Sequence, residues 1–144
     1  MENNPTAKVP RNFLPRRLLG RAAEQLAERH LVANGLITVE RNFLCRHGEI
    51  DLVMRDCNTL IFVEVRLRRK SRFASAAASV GPHKQRKLIR TAGIYLGRRR
   101  RFRHHVIRFD VVALDTAASE SCPTSDNFRI QWLKDAFRPG DWEF

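Results

Sequence analysis

The tightest constraint in this sequence is a pair of strand-forming runs with almost nothing between them. Glu49–Arg55 and Thr59–Arg68 are rich in Ile, Leu, Val and Phe, and the link between them is the short Asp56-Cys57-Asn58-Thr59. A link of that length favours an antiparallel hairpin. With a two- or four-residue loop, paired positions sum to 115, so Asp51 is expected opposite Glu64 and Glu49 opposite Arg66. Strand side chains alternate between faces. Glu49, Asp51, Glu64 and Arg66 are therefore expected on one sheet face. Ile50, Leu52, Met54, Ile61, Val63 and Val65 would make the other face core.

Around this hairpin the pattern alternates between two periods. Arg16–Asn34 reads as a helix, with Leu19, Ala22, Ala23, Leu26, Ala27 and Ala33 at helical spacing and Gly35 as a stop. Leu36–Leu44 reads as a strand, and Ser71–Val80 as a small, polar loop. Gly81-Pro82 opens a second helix to about Leu96. His105–Leu114 is a strand, Thr116–Asn127 a Ser/Thr/Asp loop, and Phe128–Leu133 a final edge strand. The order is α-β-β-β-α-β with an extra strand, as in an α/β fold whose mixed sheet is flanked by helices. Residues 1–15, with Pro5, Pro10 and Pro15, read as a flexible basic tail. Residues 16–137 read as a single domain and 138–144 as a C-terminal tail.

Charge narrows the partners. The chain has 144 residues and a formal net charge of +12. Between Glu64 and Asp110 there is no acidic residue. That stretch holds Arg66, Arg68, Arg69, Lys70 and Arg72, then Lys84, Arg86, Lys87 and Arg90, then Arg98, Arg99, Arg100, Arg101 and Arg103. Such a run attracts a polyanion. The bland alternative is a solvated basic face. A membrane surface fits less well, because the second helix keeps no bulky apolar face free for lipid. No segment approaches the roughly 18 apolar residues of a membrane span. Met1–Leu19 has no apolar stretch of a secretory signal. The three cysteines, Cys45, Cys57 and Cys122, are odd in number and unpaired in spacing, which points to a reducing, cytoplasmic compartment. Cys45 and His47 alone do not make a zinc site.

Two carboxylates opposed across a ladder repel each other unless a cation lies between them. A hard divalent ion, Mg²⁺ or Mn²⁺, takes oxygen ligands of this kind together with substrate phosphates. It polarises a phosphodiester and activates water, and Arg66 would stabilise charge on the phosphate. The competing reading is plain ion pairing: Glu49 with Arg66, and Asp51 or Glu64 with another arginine. Gln85 falls in the middle of the apolar stripe Leu88, Ile89, Ala92, Tyr95, Leu96. Facing the sheet, it needs a partner, either a backbone group or a metal-bound water or phosphate. Lys84, Lys87 and Arg90 are expected to point away from that stripe and grip a nucleic-acid backbone.

The run GRAAEQLAERHL, then ERNFLCRHGEIDLV, FVEVR, KQRKLIRTAGIYL and RFDVVALD resembles the YraN family. The resemblance covers about Gly20–Phe137. It implies a restriction-endonuclease-like fold related to Holliday-junction resolvases. It also implies that Asp51, Glu64 and Arg66 occupy a metal-dependent nuclease motif, that Glu24 is the helix acid near such sites, and that Gln85 is the polar position of the KQRK motif. One residue departs: the family's FVEVK has lysine where this chain has Arg66. Arginine stays protonated, so it stabilises charge but cannot act as a general base.

The leading reading is a Mg²⁺-dependent endonuclease-like protein acting on DNA, with Asp51 and Glu64 holding metal, Glu24 in support and water as nucleophile. The second is a nucleic-acid-binding module with an inert site. The third is a basic adaptor that docks on a protein or ribonucleoprotein. The sequence leaves the oligomeric state open, a dimer included.

Overall fold

The structure, a computed structural model, describes residues 16–69, 75–116 and 128–141. The expected N-terminal tail, Lys70, and most of the loop after Thr116 lie outside these residues.

Five strands form one sheet in chain order, β1 (Ile37–Cys45), β2 (Gly48–Asp56), β3 (Thr59–Arg69), β4 (Val106–Thr116) and β5 (Phe128–Phe137). Two helices flank it, α1 (Arg16–Ala33) and α2 (Pro82–Arg98). The first three strands run antiparallel to one another. β3 and β4 are parallel, and α2 provides the long connection that a parallel pair requires. β5 then pairs antiparallel with β4. The fold is thus α/β with a mixed sheet, in the order expected from the sequence, and β5 extends to Phe137.

Each helix covers one face. Ala23, Ala27 and Leu31 of α1 pack on Leu52, Met54, Ile61, Val63, Val112 and Leu114. The small alanines let α1 approach the sheet closely. Gly35 ends this helix in a left-handed turn (φ 94°), and Leu36 donates back to the Leu31 carbonyl. On the opposite face, Leu88, Ile89, Ala92 and Tyr95 of α2 cover Phe43, Ile50, Val53, Leu60, Phe62, Phe109 and Val111. Full burial of side chains of this size contributes roughly 1.5–3 kcal/mol each. Gly48 (φ 150°) passes close under α2, and a Cβ there would meet the buried Thr91 hydroxyl at 3.2 Å.

The hairpin register is the one expected: Asp56 pairs with Thr59 and Leu52 with Val63, both sums being 115. The pairing of β2 with β3 ends there. Asp51 and Glu64 fall one step beyond it, and Glu49 is not paired with Arg66 but with Leu44 on β1.

One expected face is corrected. Ile50 does not share a face with Leu52 and Met54; it packs under α2, whereas they pack under α1. The strict alternation breaks at Asp51. There the β1–β2 pairing steps from Arg41–Leu52 to Phe43–Ile50, and Asn42 takes a left-handed conformation (φ 52°). Both sheet faces are therefore core, and the acids sit where the ladder opens.

Candidate functional site

Leaving the ladder frees Asp51 to use its side chain where a backbone partner would have been. Its Oδ2 accepts the Val65 N–H at 2.7 Å, bridging the gap between the diverging strands. Asp51 and Glu64 are 7% and 4% exposed, so both carboxylates are removed from water. Burial pushes both up in pKa. For Asp51 the Val65 hydrogen bond and the charge of Lys84 work against burial. Glu64 is pushed up to about 7, by burial first and by the charge of Asp51 second. Glu64 Oε1 lies 3.3 Å from Lys84 Nζ and 3.7 Å from Arg66 Nη1. Its Oε2 is buried with no hydrogen-bond partner among the described residues.

That orphaned oxygen stands out beside the other buried acid. Asp110 accepts two hydrogen bonds from Arg108, one from the Trp132 indole and one from the Asp135 N–H. It ties β4 to β5 at their register shift, and its role is structural. Glu64 is as deeply buried and half satisfied, an expensive arrangement for a purely structural acid.

Two clefts lie beside the pair, lined by its neighbours and not by Asp51 or Glu64 themselves. On the α2 side a cleft lined by Leu44, Gly48, Glu49, Lys84, Lys87 and Leu88 opens between the β1–β2 turn and the start of α2. On the α1 side lies Glu24, in a second cleft with Arg21, Gln25, Arg41 and Asn42. Burial and the negative charge of Asp51 raise the Glu24 pKa, which places the two acids within electrostatic reach. Among the described residues no three acidic, histidine or cysteine side chains close on a single point. Glu24 therefore flanks the Asp51–Glu64 pair without completing a three-ligand set. Glu28, one turn on, is a fastener: it accepts from Thr38 and twice from Arg41, pinning α1 to β1.

The resemblance implies a divalent cation at this pair. Two converging acids supply hard oxygens, one of them without a partner. That fits an ion that uses one or two carboxylates and completes its shell with water and phosphate.

The other expected site residues do not gather at one place. Lys84 was expected to point outward toward nucleic acid; instead it reaches Glu64 from the first turn of α2, a helix that packs mainly on β2. Arg66 joins it there, half exposed. Gln85 takes the backbone option, donating to the Val80 carbonyl at 2.8 Å and fastening the start of α2. Arg68 is also not directed outward. It bonds Asp115 at 2.9 Å and Gln131 at 3.3 Å, linking β3, β4 and β5, because parallel pairing sets Arg68 beside Asp115. Arg69 ends β3, and Lys70 is not among the described residues. Lys87 and Arg90 are exposed along α2. Arg98, Arg99, Arg100 and Arg101 sit at the far end of that helix, remote from the carboxylates. No sequence signal marked Lys84 as a neighbour of Glu64 beyond its place in the first turn of α2. No helix among the described residues is long and apolar enough to cross a membrane. Cys45 and Cys57 are free thiols.

Comparison with known proteins agrees with the motif resemblance. The model of the uncharacterised protein family UPF0102 matches residues 23–114. A UPF0102 protein of Nitrosococcus oceani is 47% identical over 119 residues, covering 83% of this chain and 90% of that protein. One from Ectopseudomonas mendocina is 44% identical over 119 residues, covering 83% and 93%. One from Pseudomonas aeruginosa is 42% identical over 118 residues, covering 82% and 90%. The chain belongs to the uncharacterised family UPF0102, the family to which its resemblance to YraN pointed.

Proposed function

We propose that this protein is a metal-dependent endonuclease acting on DNA, with the Asp51–Glu64 pair as its centre. The observation that carries the reading is the buried Glu64 carboxylate at the open end of the hairpin: its Oε2 has no partner among the described residues, its Oε1 meets two cations, and it feels the charge of Asp51. Asp51 and Glu64 would hold Mg²⁺ or Mn²⁺, with Glu24 in support from α1. A divalent ion in such a place supplies Lewis acidity toward the phosphate and an activated water.

The chain's own residues do the rest. Val65 fixes the Asp51 carboxylate through its N–H, so the ligand is held before metal arrives. Lys84 and Arg66 bring positive charge to the Glu64 carboxylate, and that charge would stabilise the extra negative charge on a phosphate under attack. The lysine that the family motif has at position 66 is absent, but an ammonium group is supplied from α2 by Lys84 at 3.3 Å from Glu64. Arg66 then serves as a permanent cation. Water is the nucleophile.

A second reading has its own support. The ion pairs of Glu64 with Lys84 and Arg66 partly neutralise the site without any metal, as an inert nucleic-acid-binding module would require. One assay separates the two. Pure protein is incubated with labelled duplex, single-stranded and four-way-junction DNA in Mg²⁺, Mn²⁺ or EDTA, beside Asp51→Asn. Cleavage that needs the metal and is lost in the variant supports the endonuclease. Salt-sensitive binding with no cleavage in any metal selects the binding module.

A further inference from the structure

The exposed side of α2 is basic toward both ends, and the two ends are built differently. At the start, Lys84 is engaged with Glu64 and Lys87 lines the adjoining cleft. At the far end three arginines are held against aromatic rings. The Arg98 guanidinium lies 5.8 Å from the centre of the Phe43 ring, Arg99 5.4 Å from Tyr95, and Arg101 4.7 Å from Phe102. All three rings are buried. Arg99 is also bonded to Glu40 at 3.2 Å, whereas Arg100 and Arg103 are exposed.

A guanidinium resting on a ring keeps its N–H edge available and has less freedom to lose when it meets an anion. A helix C-terminus favours a cation or two. Five arginines within six positions exceed that need and repel one another, a cost that a polyanion relieves. No acidic residue occurs in α2 or in the turn that follows it, and among the described residues Glu40 is the acid bonded to this cluster.

The spacing of the two ends is set by the helix. Lys84 and Arg98 are 14 residues apart, about 21 Å at 1.5 Å per residue. Arg101, one short turn further, adds a few ångströms. Between Arg90 and Arg98 the helix carries Gly93 and Gly97, both exposed, where a Cβ would meet nothing within 4 Å. At these two positions the helix presents bare backbone to a rod laid along it.

We propose that the Arg98–Arg103 cluster is a second phosphate-binding site, used together with the Asp51–Glu64 end of α2 to hold one duplex arm. At about 3.4 Å per base pair, the separation corresponds to six to eight base pairs. The substrate class is then a nucleic acid with a continuous duplex arm of at least that length beside the phosphate at the carboxylates. This rests on the nucleic-acid part of the function proposed above and not on cleavage.

The test compares wild type with the triple variant Arg98→Gln, Arg100→Gln, Arg101→Gln; Arg99 is kept because it binds Glu40. Dissociation constants are measured in EDTA by fluorescence anisotropy on blunt DNA duplexes of 6, 8, 10, 12 and 16 base pairs. Circular dichroism confirms that the variant is folded. The expected result is a variant to wild-type Kd ratio within about twofold at 6 base pairs and at least tenfold from 10 base pairs upward. On 16 base pairs the log–log salt slope should flatten by roughly 2–3, as for three lost phosphate contacts. A ratio that is the same at every length overturns the proposal. So does a ratio of one throughout, which would assign the cluster to another partner. If wild type binds no duplex at all, the nucleic-acid reading falls and this inference with it. If the length threshold appears but Mg²⁺ brings no cleavage, the second site stands and only the hydrolytic reading is lost.

Discussion

Replacing Glu64 by glutamine should stabilise the metal-free protein at alkaline pH. Glu64 binds its proton more tightly in the folded chain than in the unfolded one, because burial and Asp51 push its pKa from 4.5 to about 7. The sign follows from linkage. The neutral carboxyl's stabilisation is complete below pH 4.5 and is lost as pH rises through 7. Above that, the wild type holds a buried charge that glutamine does not carry. The full difference, at 1.36 kcal/mol per unit, is roughly 3 kcal/mol. For a chain of this size that is up to about 9 °C in melting temperature. Glutamine keeps the shape, and its amide supplies a donor toward Asp51 where Oε2 had none. Thermal melts in EDTA from pH 5 to pH 8.5 read the effect. The Glu64→Gln variant should melt with wild type near pH 5 and several degrees above it at pH 8. Adding Mg²⁺ at pH 8 should raise wild type and leave the variant unmoved. A variant that melts below wild type at pH 8 in EDTA would refute the reasoning. It would mean that the Lys84 and Arg66 contacts outweigh burial, so that the acid is there for its ion pairs.

Three further outcomes are expected. Lys84→Met should lower metal-dependent cleavage by about 10²-fold or more, the scale of a lost charge-stabilising donor, while Arg66→Lys stays within a few-fold of wild type in the same assay. Arg68→Ala should cost roughly 1–3 kcal/mol in urea denaturation, because it strips a charged partner from Asp115, and should leave the salt slope of DNA binding unchanged. Asp110→Ala should cost about 3–5 kcal/mol by the same measurement, since it leaves Arg108 without its partner and the Trp132 indole and Asp135 N–H without an acceptor.

What the sequence determined by itself was local. Side-chain spacing placed the helices and strands to within a few residues, because burial on one side of a helix or strand imposes its own period. The two-residue turn at Cys57-Asn58 fixed the hairpin register, since a shift by one residue would move every side chain to the opposite face, under the other helix. It therefore brought Asp51 and Glu64 to the same place. The basic run was legible because charge needs no fold to be counted.

What only the tertiary structure decided was direction. Alternation alone puts Ile50 beside Leu52, but the break at Asp51 and Asn42 turns Ile50 under α2, and a period of two cannot encode its own interruption. The helical wheel sends Lys84 outward. The packing of α2 on β2, after a connection whose path no periodicity describes, brings the Lys84 ammonium to Glu64. Arg68 reads as one more cation in a basic run until parallel pairing sets it beside Asp115, 47 positions away. Hydrogen bonds and ion pairs between distant segments depend on how layers stack. Stacking is settled by the whole core at once, so the chemistry at the end of the hairpin becomes visible only when both helices are in place.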